Sequence, residues 1–189
     1  KTAAASVADY EAAFEGYLNE GYDGVIHINI SSEFSACYQN AMTAAKKFSN
    51  VYPIDSRNLS TGSGHLGLLA YDLAQEGLPA AEIAKQLDET AKKVEASFVI
   101  DTLEYLHKGG RCSSIAKISA TVLSLKPCIE VKDGKMGVGK KYRGKLDACI
   151  EKYVKDRLMN RDDIDTKRIF ITHTNCPTNI VENVKKLID

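Results

Sequence analysis

A chain of 189 residues is long enough for one large domain or two small ones, and 44% apolar residues are enough to build a core. Lys and Arg together number 25 and Asp and Glu another 25, so no global field draws the protein to nucleic acid or to an anionic membrane. Five cysteines form no CxxC pair and no metal-ligand spacing, and no apolar run approaches the ~18 residues of a membrane span. The expected location is therefore cytoplasmic, in a reducing compartment, without stable membrane insertion.

Ser6 and Asp9 stand in capping-box spacing ahead of a face made by Val7, Tyr10, Phe14, Tyr17 and Leu18, which predicts a helix ending near Gly21. "VIHINI" predicts a strand, "FSACYQNAMTAAKKF" a helix, "VYPI" a second strand and "GSGHLGLLAYDLAQEG" a helix ended by Gly77. Pro79 suits the first position of a further helix with Ile83, Leu87, Ala91 and Val94 on one face. Helices alternating with short strands argue for parallel strands joined by crossover helices.

"ASFVID" predicts another strand, and the pattern changes after Gly109, Gly110 and Arg111. "KPCIEVKDGKMGVGKKY" predicts a hairpin turning at Asp133 and Gly134. Leu146, Ile150, Val154 and Leu158 then mark a helix, "RIFITHT" a strand, and Ile180, Val184 and Leu187 a last helix. A boundary near the two glycines gives an α/β domain over 1–108 and a second α/β domain with a hairpin over 109–189.

Ser31, Ser32 and Ser35 fall where a strand's carboxyl end meets a helix's amino end, the usual place for ligands in open α/β sheets. Free N–H groups and the helix dipole favour an anion there, although a lone serine more often just caps the helix. No Lys or Arg occurs between Asn29 and Ala45, which suits a carboxylate held by hydroxyls better than a phosphate. Asp55, Ser56, Gly62 and Gly64 are further candidates for lining the same cleft.

"GSGHLG" spells G-x-G-x-x-G, but "DSRNLST" separates it from its strand and a helix follows the helix, so the dinucleotide context is absent. A serine-dependent hydrolase is the other alternative; Ser63 lacks the outer glycines of a nucleophile elbow. Lys108 and Arg111 form a basic turn able to steer an acidic partner.

Four ordered motifs resemble the DegV family of fatty-acid-binding proteins, the acyl carrier subunits of bacterial fatty acid kinase. "ISSEFSACYQNA" is similar to the family's ISSxLSGTYQxA, "IDSRNLSTGSGHLG" to its DS…SxGxG segment, "IDTLEYLHKGGRCS" to its LxYLxKGGRI, and "LKPCIEVKDGKMGVGKKYRGKLDA" to the KP-strand, hairpin and K-x-RG run that follow. The resemblance implies a two-domain α/β carrier, not itself an enzyme, that encloses a long-chain fatty acid and presents its carboxylate to a kinase subunit for conversion to acyl phosphate. ATP and metal would belong to that partner, leaving the fatty acid as the only ligand and no cofactor. By motif position Thr2, with Ser32 or Ser35, would hydrogen-bond the carboxylate; the basic turn of Lys108 and Arg111, which has no evident folding purpose, is the expected docking point for the kinase. The chain departs from the pattern in "TAAAS", where the family has TSQPS, and in Ala36 and Cys37, where it has Gly and Thr. The family also has an earlier DS-containing strand and a later HxGPG-like segment, so truncation at both ends is expected.

Overall fold

The computed structural model describes residues 3–102, 104–109, 125–159 and 161–189. Contacts divide the chain into one unit of Lys1–Ala96 with Val131–Lys135, and another of Ser97–Glu130 with Met136–Asp189.

The first unit opens with α1 (Val7–Asn19), whose capping box closes as expected: Asp9 N donates to Ser6 Oγ and Ser6 N donates to Asp9 Oδ2. β1 (Val25–Asn29) and β2 (Val51–Asp55) pair in parallel from Val25↔Val51 to Asn29↔Asp55, joined by α2 (Cys37–Ala45). α3 (Ser60–Gln75) and α4 (Ala80–Ala91) follow. Each strand is packed against on both faces, as parallel pairs covered by crossover helices are. Val25 and Val51 pack with Tyr10, Phe14, Ala41, Ala44 and Ala45 on the α1/α2 side; Ile26, Ile28, Tyr52 and Ile54 pack with Leu66, Leu73, Ile83, Leu87 and Ala91 on the α3/α4 side. Strand alternation therefore puts His27, Asn29 and their register partners Pro53 and Asp55 on the α1/α2 side. The His27 ring confirms this, lying 5.1 Å from Tyr10 and 5.7 Å from Phe14.

Next in chain order come β3 (Ala96–Val99), α5 (Glu104–Lys108), β4 (Leu125–Lys132), β5 (Lys135–Arg143), α6 (Leu146–Leu158) and α7 (Thr178–Ile188), with the sheet ordered β3-β4-β5; they make up the second unit except for Ala96 and the hairpin tip Val131–Lys135, which belong to the first. Neighbouring β4 residues serve opposite faces: Ile129 packs with Phe98, Leu106, Met136 and Val138, and Cys128 with Val99, Tyr142, Cys149 and Tyr153. Asp133 at φ 52° and Gly134 at φ 78° make the hairpin turn with two positive φ angles, the geometry that "DG" favours.

Four expectations are corrected. Tyr17 is 52% exposed, stacked edge-on against Tyr22, because α1 buries only the stripe through Tyr10 and Phe14. Pro79 is the N-cap of α4, its ψ of 151° still extended. The inner face of α6 is Cys149 and Val154, with Ile150 only half-buried. "RIFITHT" forms no strand among the described residues, and Phe170 and Ile171 are exposed. Alternation supplies β propensity, whereas a strand exists only through a ladder with a neighbour.

Candidate functional site

The three serines after β1 have different work. Ser31 is fully buried; its hydroxyl donates to Gly134 O at 2.7 Å and its N–H donates to Asn58 O at 2.9 Å. A Cβ on Gly134 would sit 2.7 Å from Ser31 Oγ, so the turn glycine is required by this contact as well as by its φ. Ser32 donates its hydroxyl to Asp55 Oδ2 at 2.5 Å and its N–H to Asp55 Oδ1 at 3.2 Å, while Arg57 N donates to the same Oδ1 at 2.8 Å. Asp55 thus ties the segments leaving β1 and β2 together.

Ser35 stands apart. α2 begins after Ala36, which carries no side-chain acceptor, and Ser35 Oγ accepts from Cys37 N at 3.1 Å in its place. The Ser35 hydroxyl also holds the Cys37 thiol below its ordinary range, helped by the Tyr10 hydroxyl and the Ala5 N–H and opposed by burial. Burial, and then the contact with Cys37, push the Tyr10 phenol up to about 12. Asn40 Nδ2 donates to Ala5 O at 2.7 Å, so the segment before α1 is fastened beside the start of α2.

At the carboxyl end of β1, Asn29 is 3% exposed. Its Nδ2 donates to His27 O at 3.2 Å, and its Oδ1 is buried with no donor among the described residues. Burial pushes the His27 imidazole below its ordinary pKa, with the Asn29 amide opposing that shift. Register and face place Asn29 beside Asp55, on the side of the sheet where α2 starts.

The loop after β2 is internally knotted. Ser56 is fully buried, with its hydroxyl 2.8 Å from Ser63 Oγ and donating to Asn58 O at 3.1 Å. Gly62, Gly64 and Gly67 all lie inside α3, so no strand-to-helix phosphate loop forms. Gly62 makes room for Asn58: a Cβ there would meet Asn58 Oδ1 at 2.2 Å. Nothing lies within 4 Å of the corresponding point on Gly64. Lys108 is exposed at the end of α5; Thr2 and Arg111 lie outside the described residues.

Sequence reasoning singled out the serines but missed Asn29 and the Tyr10–Cys37 contact. The available signal was a polar residue closing the strand "VIHIN" on the face it shares with Val25 and His27. Among the described residues, no group of His, Cys, Asp and Glu could hold a metal ion, and no helix is long and apolar enough to cross a membrane.

The family model described as "Uncharacterised protein, DegV family" matches residues 1–189. A DegV domain-containing protein of Clostridium acetobutylicum is 37% identical over 158 residues, which are 82% of this chain and 56% of that protein. The crystal structure of a DegV family protein from Thermus thermophilus, described as binding fatty acid, is 29% identical with a TM-score of 0.71, over 82% of this chain and 56% of that one. A stearic acid-binding protein from Eubacterium ventriosum is 26% identical with a TM-score of 0.70, again over 82% and 56%. The chain thus spans a little over half the length of these relatives.

Proposed function

Because the chain belongs to the DegV family, we propose that it binds a long-chain fatty acid, with the acyl head group at the carboxyl end of β1 and the start of α2. The observation that carries this reading is Ser35. Among the described residues it is the one serine of the three whose side chain bonds to the start of α2, accepting from Cys37 N, where N–H groups and the helix dipole favour a carboxyl group. Ser31 and Ser32 instead donate their hydroxyls to Gly134 and Asp55. This favours Ser35 over Ser32 as a head-group ligand; Thr2, which lies outside the described residues, remains a candidate by its motif position alone. The Thermus thermophilus and Eubacterium ventriosum neighbours support the ligand class.

The further step in this proposal is presentation of the bound carboxyl group to a fatty acid kinase subunit that brings ATP and metal and forms acyl phosphate, so that the chain is a carrier and not the catalyst. Lys108 and Arg111 are the docking candidates. The primary test is displacement of a fluorescent fatty acid from delipidated protein, with mass spectrometry of the lipid that co-purifies. Ser35→Ala should weaken binding several-fold, up to roughly one decade, the cost of about 0.5 to 1.5 kcal/mol for one hydrogen bond to a carboxyl group. Finding neither co-purified nor exchangeable fatty acid would end the proposal. For the partner, Arg111→Glu should slow acyl-phosphate formation while sparing lipid binding, and added salt should imitate it; equal rates at low salt would remove Arg111 from the interface.

A further inference from the structure

Asn29 deepens that reading and rests on it. A buried amide oxygen without a donor costs about 1–3 kcal/mol, so an acceptor kept in this state at a ligand-binding strand end calls for a donor from beyond the described residues. The amide cannot turn over to offer its N–H groups instead, because that would set Oδ1 against His27 O, which now accepts from Nδ2 at 3.2 Å. Asn29 therefore presents an acceptor only. Its register partner Asp55 is a carboxylate, and the chain from Asn29 to Ala45 contains no Lys or Arg.

An ionised ligand carboxylate has no proton to give Asn29 and no cation in this stretch to neutralise it. A neutral carboxylic acid has both halves of what is needed: an O–H for Asn29 Oδ1, and a C=O for the Ser35 hydroxyl and the first N–H groups of α2. We infer that Asn29 is a head-group residue whose Oδ1 accepts the O–H of the ligand's carboxyl group, so that the site selects the neutral acid over its anion. Burial of a carboxyl group away from cations favours its neutral form for the same physical reason.

The titratable groups facing this strand end are His27 and Asp55 on the strands, Tyr10 on α1, Cys37 and Tyr38 on α2, and Asp88 on α4, which acts on Tyr38. Their own titration must be separated from that of the ligand. The experiment therefore uses three probes of one chain length, octanoic acid, octanamide and methyl octanoate, titrated into delipidated protein between about pH 5.5 and 7.5. The acid is a free carboxyl with a solution pKa near that of Glu, about 4.3. If only its neutral form binds, its affinity falls by close to tenfold per pH unit. Octanamide keeps an N–H donor without charge and should bind with an affinity independent of pH. The ester, which has no donor, should bind at least tenfold more weakly than the amide.

In Asn29→Leu, chosen for similar size, the gap between amide and ester should close while the urea midpoint confirms folding. The slope with pH and the amide–ester gap in the parent protein need no variant at all. A flat profile for the acid, an amide whose affinity follows pH as the acid's does, or an ester equal to the amide would overturn the inference; an ordered water bridging Asn29 to a bound carboxylate would give the flat profile. If none of the three probes, nor a long-chain fatty acid, binds the parent protein, the fatty-acid reading itself fails, which is a different result.

Discussion

Replacing Gly62 by Ala would ordinarily help a helix, by up to about 1 kcal/mol. Here it should do the reverse. The new Cβ would lie 2.2 Å from Asn58 Oδ1, 2.4 Å from Cγ and 3.0 Å from Nδ2, so the whole Asn58 amide must leave its place. That amide is 1% exposed and makes two anchoring bonds, donating from Nδ2 to Val94 O at 3.0 Å and accepting from Leu59 N at 3.1 Å. Losing two such bonds costs about 2 to 4 kcal/mol when the partners stay buried, and subtracting the helix gain leaves roughly 1 to 3 kcal/mol of destabilisation. The assay is urea unfolding of the parent, Gly62→Ala, Asn58→Ala and the double variant. Without the Asn58 amide there is nothing left to clash with, so Gly62→Ala should be neutral or stabilising in the Asn58→Ala background. A Gly62→Ala protein as stable as the parent, or one that loses the same amount in both backgrounds, would refute the reasoning. The result also bears on function, because Asn58 O receives the Ser31 N–H and so helps to fix the serine loop.

Gly139→Ala should loosen the second unit: its Cβ would fall 1.9 Å from Glu130 Oε1 and 2.8 Å from Cγ, displacing the partner that Arg157 holds at 2.6 Å, and a further drop in urea midpoint of the same size in a Glu130→Ala background, where the clashing atoms are gone, would argue against that cause. Cys37 should be alkylated by iodoacetamide faster near pH 7 than an ordinary thiol, and Ser35→Ala should slow it by returning the thiol toward its usual range; an unchanged rate would show that Ser35 does not stabilise the thiolate. His27 contributes a pH-dependent term of definite sign. Its folded pKa lies below the ordinary 6.5, so the unfolded chain binds the proton first on acidification, and the stability present above about pH 6.5 is lost as pH falls through the folded pKa. His27→Phe should therefore lose less stability than the parent between about pH 7.5 and 5.5, and an equal loss in both would remove His27 from the account.

Much of this protein could be read from its sequence because the information is local. The Ser6–Asp9 box, the Asp133–Gly134 turn and the apolar periodicity of α3, α4 and α7 depend on residues a few positions apart, and each formed as the spacing required. The four DegV-like motifs supplied the family, and the position of three serines between a strand and a helix located the candidate site. What the spacing could not do was divide the labour among those serines. That was decided by groups far away in the chain: Gly134 takes the Ser31 hydroxyl across 103 residues, and Asp55 takes that of Ser32 across 23. The parallel register decided that Asn29 and Asp55 share a face, and packing decided that the Asn29 oxygen is buried without a donor among the described residues. "RIFITHT" is the opposite case, since its alternation is as good as that of β1 and yet it forms no strand among the described residues. Propensity belongs to a segment, whereas a ladder, a register and the satisfaction of a buried polar atom belong to pairs of segments that only the folded chain brings together.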